Sequence, residues 1–482
     1  MSRTLNPRTP IWFVLAAGVG LLAATQPPAI TFAAIALAAF ALLGMITPLS
    51  ALAVLLILAP MRTLIETEAP RALPLDIGQL TLLALVGFWL IHSIVKRRTL
   101  PRPGWSPVYI PIIIFLIVTG ITAFSALSMG AWLTEWLKWL SVLLLVALCL
   151  DLGAWEWMVF ALVLAGVANA LVGIYQFFGG SGALVLLVAG RFFRAFGTFG
   201  QPNPFGGFMG LLAPIALMAA VGHGVRLWHA RRARQPVSPS GYIVPIFYLL
   251  ATGLLIIGVI FSWSRGSWLG FAASIAAMLL ALPRKWWYGV IPVLAGALLI
   301  IALWLTGRLP ASVISRVESV TNEITAFNDV RGVDITPDNY ANVERLAHWQ
   351  AAINMAQANP WLGVGFGNYE NAYSQYDLLN WPLAQGHAHN YYLNVFAEAG
   401  IIGLVAYVTL WVSVMIITWR ARRHPDPLAR FMVVGLFGTW TYLAVHSLTD
   451  NLYVNNLFLH LGVMLGILAV LHRIEIHCVR ME

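Results

Sequence analysis

The sequence predicts an all-α polytopic membrane protein of about 12–14 transmembrane helices with one long extracytoplasmic loop. Three observations carry that prediction. Of the 482 residues, 60% are apolar and only 10% are charged, against roughly 25% charged in a soluble domain. The apolar residues gather in runs, most of them near the length of about 20 that crosses a hydrocarbon core. The basic residues fall in clusters that alternate with those runs. At a mean hydropathy of +0.81, a water-soluble fold could not hide so much apolar surface, which excludes secreted, cytosolic and disordered classes.

The runs lie near residues 11–25, 29–46, 48–60, 76–95, 107–127, 132–150, 155–178, 203–222, 242–261, 267–282, 286–306, 390–418, 429–447 and 452–471. Ile11 to Ala24 has the look of a signal-peptide core, but a second run follows at once, so it reads as an uncleaved first span. The run at 48–60 is short enough to be re-entrant. Residues 1–178 thus hold the N-terminal spans and 179–306 the central spans with their arginine-bearing loops. A hydrophilic loop occupies 307–389, and 390–482 holds the C-terminal spans and a short cytoplasmic tail. Within the loop, Val343, Leu346, Ala347 and Ile353 fall at helical spacing, which predicts a helix over Tyr340 to Met355 with Asp338 or Asn339 as N-cap. Pro360 and Gly363-Val-Gly-Phe-Gly367 end it.

The net charge of +9 would suggest nucleic acid if the charges shared one surface, but they do not. With Arg3 and Arg8 inside and one crossing per run, Lys96-Arg97-Arg98 with Arg102 falls inside, as do Arg226, Arg231, Arg232 and Arg234. The same parity brings in Arg284-Lys285, then Arg420, Arg422, Arg423 and Arg430, and finally Arg473 and Arg480. These clusters hold 18 of the 28 basic residues and follow the rule that cytoplasmic loops collect Lys and Arg. The charge therefore reports orientation, with both termini cytoplasmic and no nucleic-acid partner. Cys149 and Cys478 have no metal-ligand or Cys-x-x-Cys neighbour, which leaves no disulfide framework and no zinc site. Walker A, Rossmann and Asp-x-Asp patterns are absent from the sequence, so neither a metal nor a cofactor is expected.

On the opposite side, polar residues gather at 179–203 around Arg191-Phe-Phe-Arg194, at Ser262-Trp-Ser-Arg265-Gly-Ser, and in the long loop with Arg345. Interfacial anchoring is one reading of any one of these arginines. Four of them against the prevailing bias, beside Gly and Asn, also fit one anionic ligand such as a lipid pyrophosphate, because guanidinium stays charged and grips phosphate oxygens in pairs. His389, before Asn390 where the loop re-enters the membrane, is a candidate general base, with a helix-cap or surface role as its alternative. His387 is the competing base. Glu398 lies nine residues on, about 13 Å along a helix and too far for a direct pair. As an intramembrane carboxylate it is a functional suspect, or else a structural hydrogen-bonding group. Asp450 either caps a helix or orients a histidine.

Four segments resemble the O-antigen ligase and polymerase superfamily. They are Arg194-Ala-Phe-Gly-Thr-Phe-Gly-Gln-Pro-Asn203, Phe261-Ser-Trp-Ser-Arg265-Gly-Ser-Trp-Leu-Gly270, Glu344-Arg345 through Asn359-Pro-Trp-Leu-Gly-Val-Gly365 to Gly367, and His389-Asn390-Tyr-Tyr-Leu-Asn-Val-Phe-Ala-Glu398-Ala-Gly-Ile-Ile-Gly403. The likeness runs over about residues 190–405. It implies a GT-C-like, metal-independent glycosyltransferase of the bacterial inner membrane with its site on the periplasmic or external face. The implied donor is a glycan on undecaprenyl pyrophosphate, and the acceptor is a hydroxyl of a glycan, of lipid A-core or of a protein, with membrane lipids around the enzyme. Carried over by position, His389 is the base, Arg265 and Arg345 stabilise the leaving pyrophosphate, and Arg194 opens the Gly-Thr-Phe-Gly segment. Arg191 has proximity alone, and His387, Asn390, Glu398 and Asp450 are supports. A single displacement predicts inversion at the anomeric carbon. A polysaccharide polymerase and a protein O-oligosaccharyltransferase use the same donor. A transporter of polyprenyl-linked glycan would instead place charges near the bilayer midplane.

Overall fold

The computed structural model describes residues 42–68, 75–180, 186–188, 190–309, 314, 329–336 and 339–481. The run at 11–25, its reading as an uncleaved span, most of the run at 29–46, and Asp338 lie outside the described residues. The remaining twelve apolar runs all form helices. Helix α1 (Pro48–Leu58) continues through a tight turn at Ala59–Met61 into α2 (Arg62–Glu68). Together they give a 20-residue apolar helix over Pro48–Thr67, so this run reaches full spanning length rather than turning back. Then come α3 (Ile77–Arg97), α4 (Tyr109–Ile121), α5 (Met129–Leu152) and α6 (Trp155–Tyr175). A two-stranded hairpin, β1 (Leu187–Val188) with β2 (Phe192–Phe193), precedes α7 (Pro202–Arg232), α8 (Pro239–Phe261), α9 (Arg265–Ala281) and α10 (Trp287–Leu305). The loop contributes α11 (Tyr340–Ala358) and α12 (Tyr369–Tyr373), and α13 (Tyr391–Ala421), α14 (Pro427–His446) and α15 (Leu457–Met481) complete the chain. Among the described residues, ten helices are long and apolar enough to cross a membrane, and Tyr109–Ser125 and Arg265–Ala281 are shorter apolar helices. The chain is an all-α polytopic membrane protein.

Local chemistry sets many of the helix starts. Thr47 accepts from Leu49 N, and Pro48, which has no N–H to lose, takes the first turn of α1. Asp76 and Gln79 cap α3 reciprocally, each side chain accepting from the other's backbone N–H at 2.9 and 3.1 Å. Asn390 accepts from Leu393 N at 3.1 Å and Asp426 from Ala429 N at 2.8 Å, which starts α13 and α14. In hydrocarbon such caps matter more than in water, because no solvent satisfies a free N–H. The loop helix α11 starts at Asn339, whose side chain braces Thr336 and Asp334 rather than the helix. Val343, Leu346 and Ala347 are buried as their spacing predicts.

Helices α7 and α15 form the interior, each with 83% of its apolar window buried, whereas α10 has 6% buried and lies at the periphery. Helix α7 packs on α8 and α14, α9 on α14, and α15 on α5. Close approach of α7 and α14 depends on small residues, since a Cβ on Gly210 would lie 2.0 Å from the Tyr442 ring. Tyr442 Oη then donates to Gly206 O at 3.0 Å and Thr439 Oγ1 to Leu211 O at 2.9 Å. Exposed Leu and Ile on α8 and α10 face where lipid would be.

Charges sort to the two ends of the bundle. At one end Arg97 meets Asp151 at 2.7 Å, Arg226 meets Asp426 at 3.2 Å, and Arg430 donates to Leu282 O at 2.8 Å. The starts of α5, α7, α9, α13 and α15 and the ends of α4, α8 and α14 lie at the other. There the long loop is tied into α13. Gly400 breaks the helix at φ 64°, ψ −167°, a region open essentially to glycine alone. The break turns Ile401 N to Pro360 O (2.8 Å) and frees the carbonyls of Ala397 and Glu398 for Val364 N (3.0 Å) and Gly365 N (2.9 Å). Gly363-Val-Gly-Phe-Gly367 is thus a turn docked on a kinked helix. A Cβ at Gly400 would lie 2.3 Å from the Trp361 carbonyl. Gly400→Ala is therefore expected to destabilise the protein by at least the roughly 1–3 kcal/mol of the backbone strain alone, read as a lowered melting temperature in detergent.

Candidate active site

Three histidines and one carboxylate meet where the loop re-enters the bundle. Asn390, not His389, caps α13, which leaves the His389 side chain free of that role. His389 itself sits at φ 52°, a left-handed conformation that costs a non-glycine residue of the order of 1–2 kcal/mol. Its Nδ1 lies 3.9 Å from Asp450 Oδ1, and His387 Nε2 lies 3.8 Å from the same oxygen. The carboxylate of Asp450 is buried and accepts from Asn451 N at 2.8 Å. It therefore faces histidines rather than capping a helix. His389 Nε2 contacts Gln385 Oε1 at 3.2 Å, and Gln385 bridges to Glu344. The ring of His348, buried in α11 against Tyr369 Oη at 3.1 Å, stands edge-on to His389 with centroids 5.4 Å apart.

Burial and neighbouring charges act on His387, His348 and Asp450. His387 Nδ1 accepts from His389 N at 3.1 Å, which leaves its proton on Nε2, toward Asp450. Burial, with the neighbouring His389 and Arg345, pushes His387 down to about 4, so it stays neutral. Burial lowers His348 to about 3, with His389 and His387 acting in the same direction. Asp450 is held well below the usual carboxylate range: its burial opposes ionisation, but contact with His389, His387 and His446 outweighs it. A fixed anion facing His389 Nδ1 and His387 Nε2 is suited to stabilising an imidazolium formed beside it.

The arginines converge through α11. Arg265, the first residue of α9, donates from Nη1 and Nη2 to Asn342 Oδ1, both at 3.2 Å. One turn further on the same helix is Arg345, close enough to His387 and His446 to act on their charge. Arg194 braces the turn before Arg265, donating to Ser262 O and Asn203 Oδ1 at 3.1 Å each. Arg191 is exposed at the hairpin turn with its guanidinium over the Phe192 ring. Glu398 is buried, and its Oε1 accepts from Tyr369 N at 3.1 Å. The intramembrane carboxylate thus has a structural partner at the start of α12, just after the docked turn. Asn342, Gln385, His348 and His446 escaped sequence reasoning. The signals were present in the placement of Asn342 three residues before Arg345, Gln385 four before His389, and His446 four before Asp450, each one helical turn or one short loop from a named residue.

Beside this cluster is a cavity of about 450 Å³. Gln201, Gln385, Asn394, Asn451 and Asn455 line it with His387, and the Glu135–Lys138 ion pair forms part of its wall. Carboxamides both donate and accept, which suits a hydroxyl-rich ligand. His387, His389 and Asp450 also bring three possible ligand atoms within 4.8 Å of one another, so among the described residues they are the group that could hold a metal ion.

Fold and site together define a polytopic membrane protein with a histidine–arginine centre at one end of its helices. Residues 250–408 match the model of the family described as O-antigen ligase, which supports placement in the O-antigen ligase superfamily and an enzyme of the ligase or polymerase glycosyltransferase type. No curated protein matches the chain. The matched segment contains Arg265, Arg345 and His389, with Arg194 and Asp450 outside it.

Acid should loosen this site. The unfolded chain takes up protons at an ordinary histidine value near 6.5, before buried His387 does. Stability therefore falls as pH drops from about 6.5 toward 4, and His348 acts in the same sense. His387→Gln is expected to flatten the fall in melting temperature across that window, and an unchanged slope would refute the assignment.

Proposed function

We propose that this protein transfers a glycan from undecaprenyl pyrophosphate to an acceptor hydroxyl, in the manner of an O-antigen ligase, on the external face of the bacterial inner membrane. The observation that carries the reading is the placement of Asp450 against His389, next to a helix that carries Arg345 and holds Arg265. Orientation follows from the basic clusters, which occupy the other end of the bundle and by the positive-inside rule face the cytoplasm.

Asp450 at Nδ1 leaves His389 Nε2 to meet the acceptor hydroxyl, in the place that Gln385 Oε1 now fills. As the hydroxyl oxygen attacks the anomeric carbon, its proton passes to Nε2, and Asp450 stabilises the imidazolium. The anomeric C–O bond to the carrier breaks, and the pyrophosphate leaves with its electron pair. Arg265 and Arg345 meet that growing charge, with Arg194 fixing the Arg265 turn. Displacement from the opposite face inverts the anomeric centre. The carboxamide-lined cavity beside His387 is the place for the acceptor sugar. His387 keeps its neutral form and orients Asp450, and no step calls for a metal.

His389→Ala is expected to lower transfer by about 10²–10⁴-fold while carrier binding is kept, in an assay of purified protein with lipid-pyrophosphate glycan and acceptor. Arg265→Lys should lose about 10²–10³-fold, since a single ammonium cannot reproduce the fork. EDTA should leave the rate unchanged. Loss of activity on chelation would turn the His387–His389–Asp450 group into a metal centre, and normal transfer by His389→Ala would remove the base. Release of carrier pyrophosphate separates the enzyme from a transporter, and the product separates ligase from polymerase and protein transferase.

A further inference from the structure

A second site lies at the basic end of the bundle. A cavity of about 620 Å³ opens between the turn after α9 and the connection from α13 to α14. Five cations line it, Arg284, Lys285, Arg422, Arg423 and Arg430, and none of the lining residues is acidic. The carboxylate of that connection, Asp426, is instead committed to Arg226 at 3.2 Å and to Ala429 N at 2.8 Å.

The positive-inside bias explains why cations collect at this end. It does not explain why five of them surround one hollow while the adjacent acid turns away, since like charges so placed repel one another. Nor does it explain Arg422, which is only 8% exposed. Its guanidinium stacks 3.8 Å over Trp419 and donates from Nη1 to Trp419 O at 2.7 Å, yet its buried Nε has no hydrogen-bond partner. A buried, charged donor left unmatched is costly unless an acceptor arrives. Arg430, by contrast, is fixed by Leu282 O at 2.8 Å, so one wall of the hollow is rigid.

We infer that this cavity binds a phosphate-bearing anion. Phosphate offers several oxygens around one compact charge, the arrangement that converging guanidinium groups grip best. The ligand comes either from an anionic lipid headgroup, which basic pockets between transmembrane helices hold at this depth, or from soluble phosphate. The site is separate from the His389 centre and does not depend on the reaction proposed there.

The test uses the full-length protein in neutral detergent, titrated in one arm with cardiolipin and in the other with inorganic phosphate, reading melting temperature and, by native mass spectrometry, bound ligand. Saturable stabilisation is expected in at least one arm. Cardiolipin alone identifies a headgroup site, and phosphate alone identifies a soluble-anion site. The exposed pair Lys285→Gln with Arg423→Gln should weaken binding by about tenfold or more, and Arg422→Gln should weaken it further. Arg231→Gln with Arg234→Gln removes the same charge at the same end but outside the cavity, and should leave binding intact. Equal weakening by that control pair, or no stabilisation by either ligand, would overturn the proposal.

Discussion

Everything in this molecule answers to the cost of charge in hydrocarbon. With 10% of its residues charged, the chain cannot scatter them through the bundle, because an ionised group at the bilayer centre costs several kcal/mol and a free backbone amide costs nearly as much. The helices therefore carry their charges to their ends. Where the Gly363–Gly367 segment enters, its backbone amides find acceptors on the kinked helix. Glu398 sits inside α13 with its side chain accepting from Tyr369 N just after the Gly363–Gly367 turn, and that turn fits because Gly400 opens the helix carbonyls to the turn's own amides.

This docking makes the site. Once the long loop is fixed on α13, α11 lies over the ends of the central helices, so that Asn342 reaches Arg265 and Arg345 comes beside His387. The same re-entry sets His389 on the first residues before α13, in a left-handed conformation that points it at Asp450. The two ends of the bundle then hold opposite kinds of centre. At one, cations share the space with a buried anion and titratable imidazoles. At the other, five cations share a hollow with no anion at all.

Much of this was legible in the sequence. Twelve apolar runs became twelve helices, the loop helix began at its expected Tyr340, and among the described residues Arg97, Arg226 and Arg430 fell at one end of the bundle. The short run at 48–60 was underestimated because its apolar stretch ends at Pro60, while the helix continues through Met61 into polar residues that need no apolar pattern. Arg194, Arg265, Arg345, His387 and His389 could be named because their residue types are unusual where they stand. Asn342 and Gln385 could not, since an amide in a polar loop looks like any other until its partner is known.

The sequence by itself determined the solvent and the helices, because these follow from composition and from spacing along a helix whose backbone bonds must close locally. Only the tertiary structure decided which of the rare polar groups meet. Asp450 lies 61 positions from His389 and 63 from His387, and Asn342 lies 77 from Arg265. No local periodicity spans such gaps, and the contacts exist only because α14, the loop and α9 pack together.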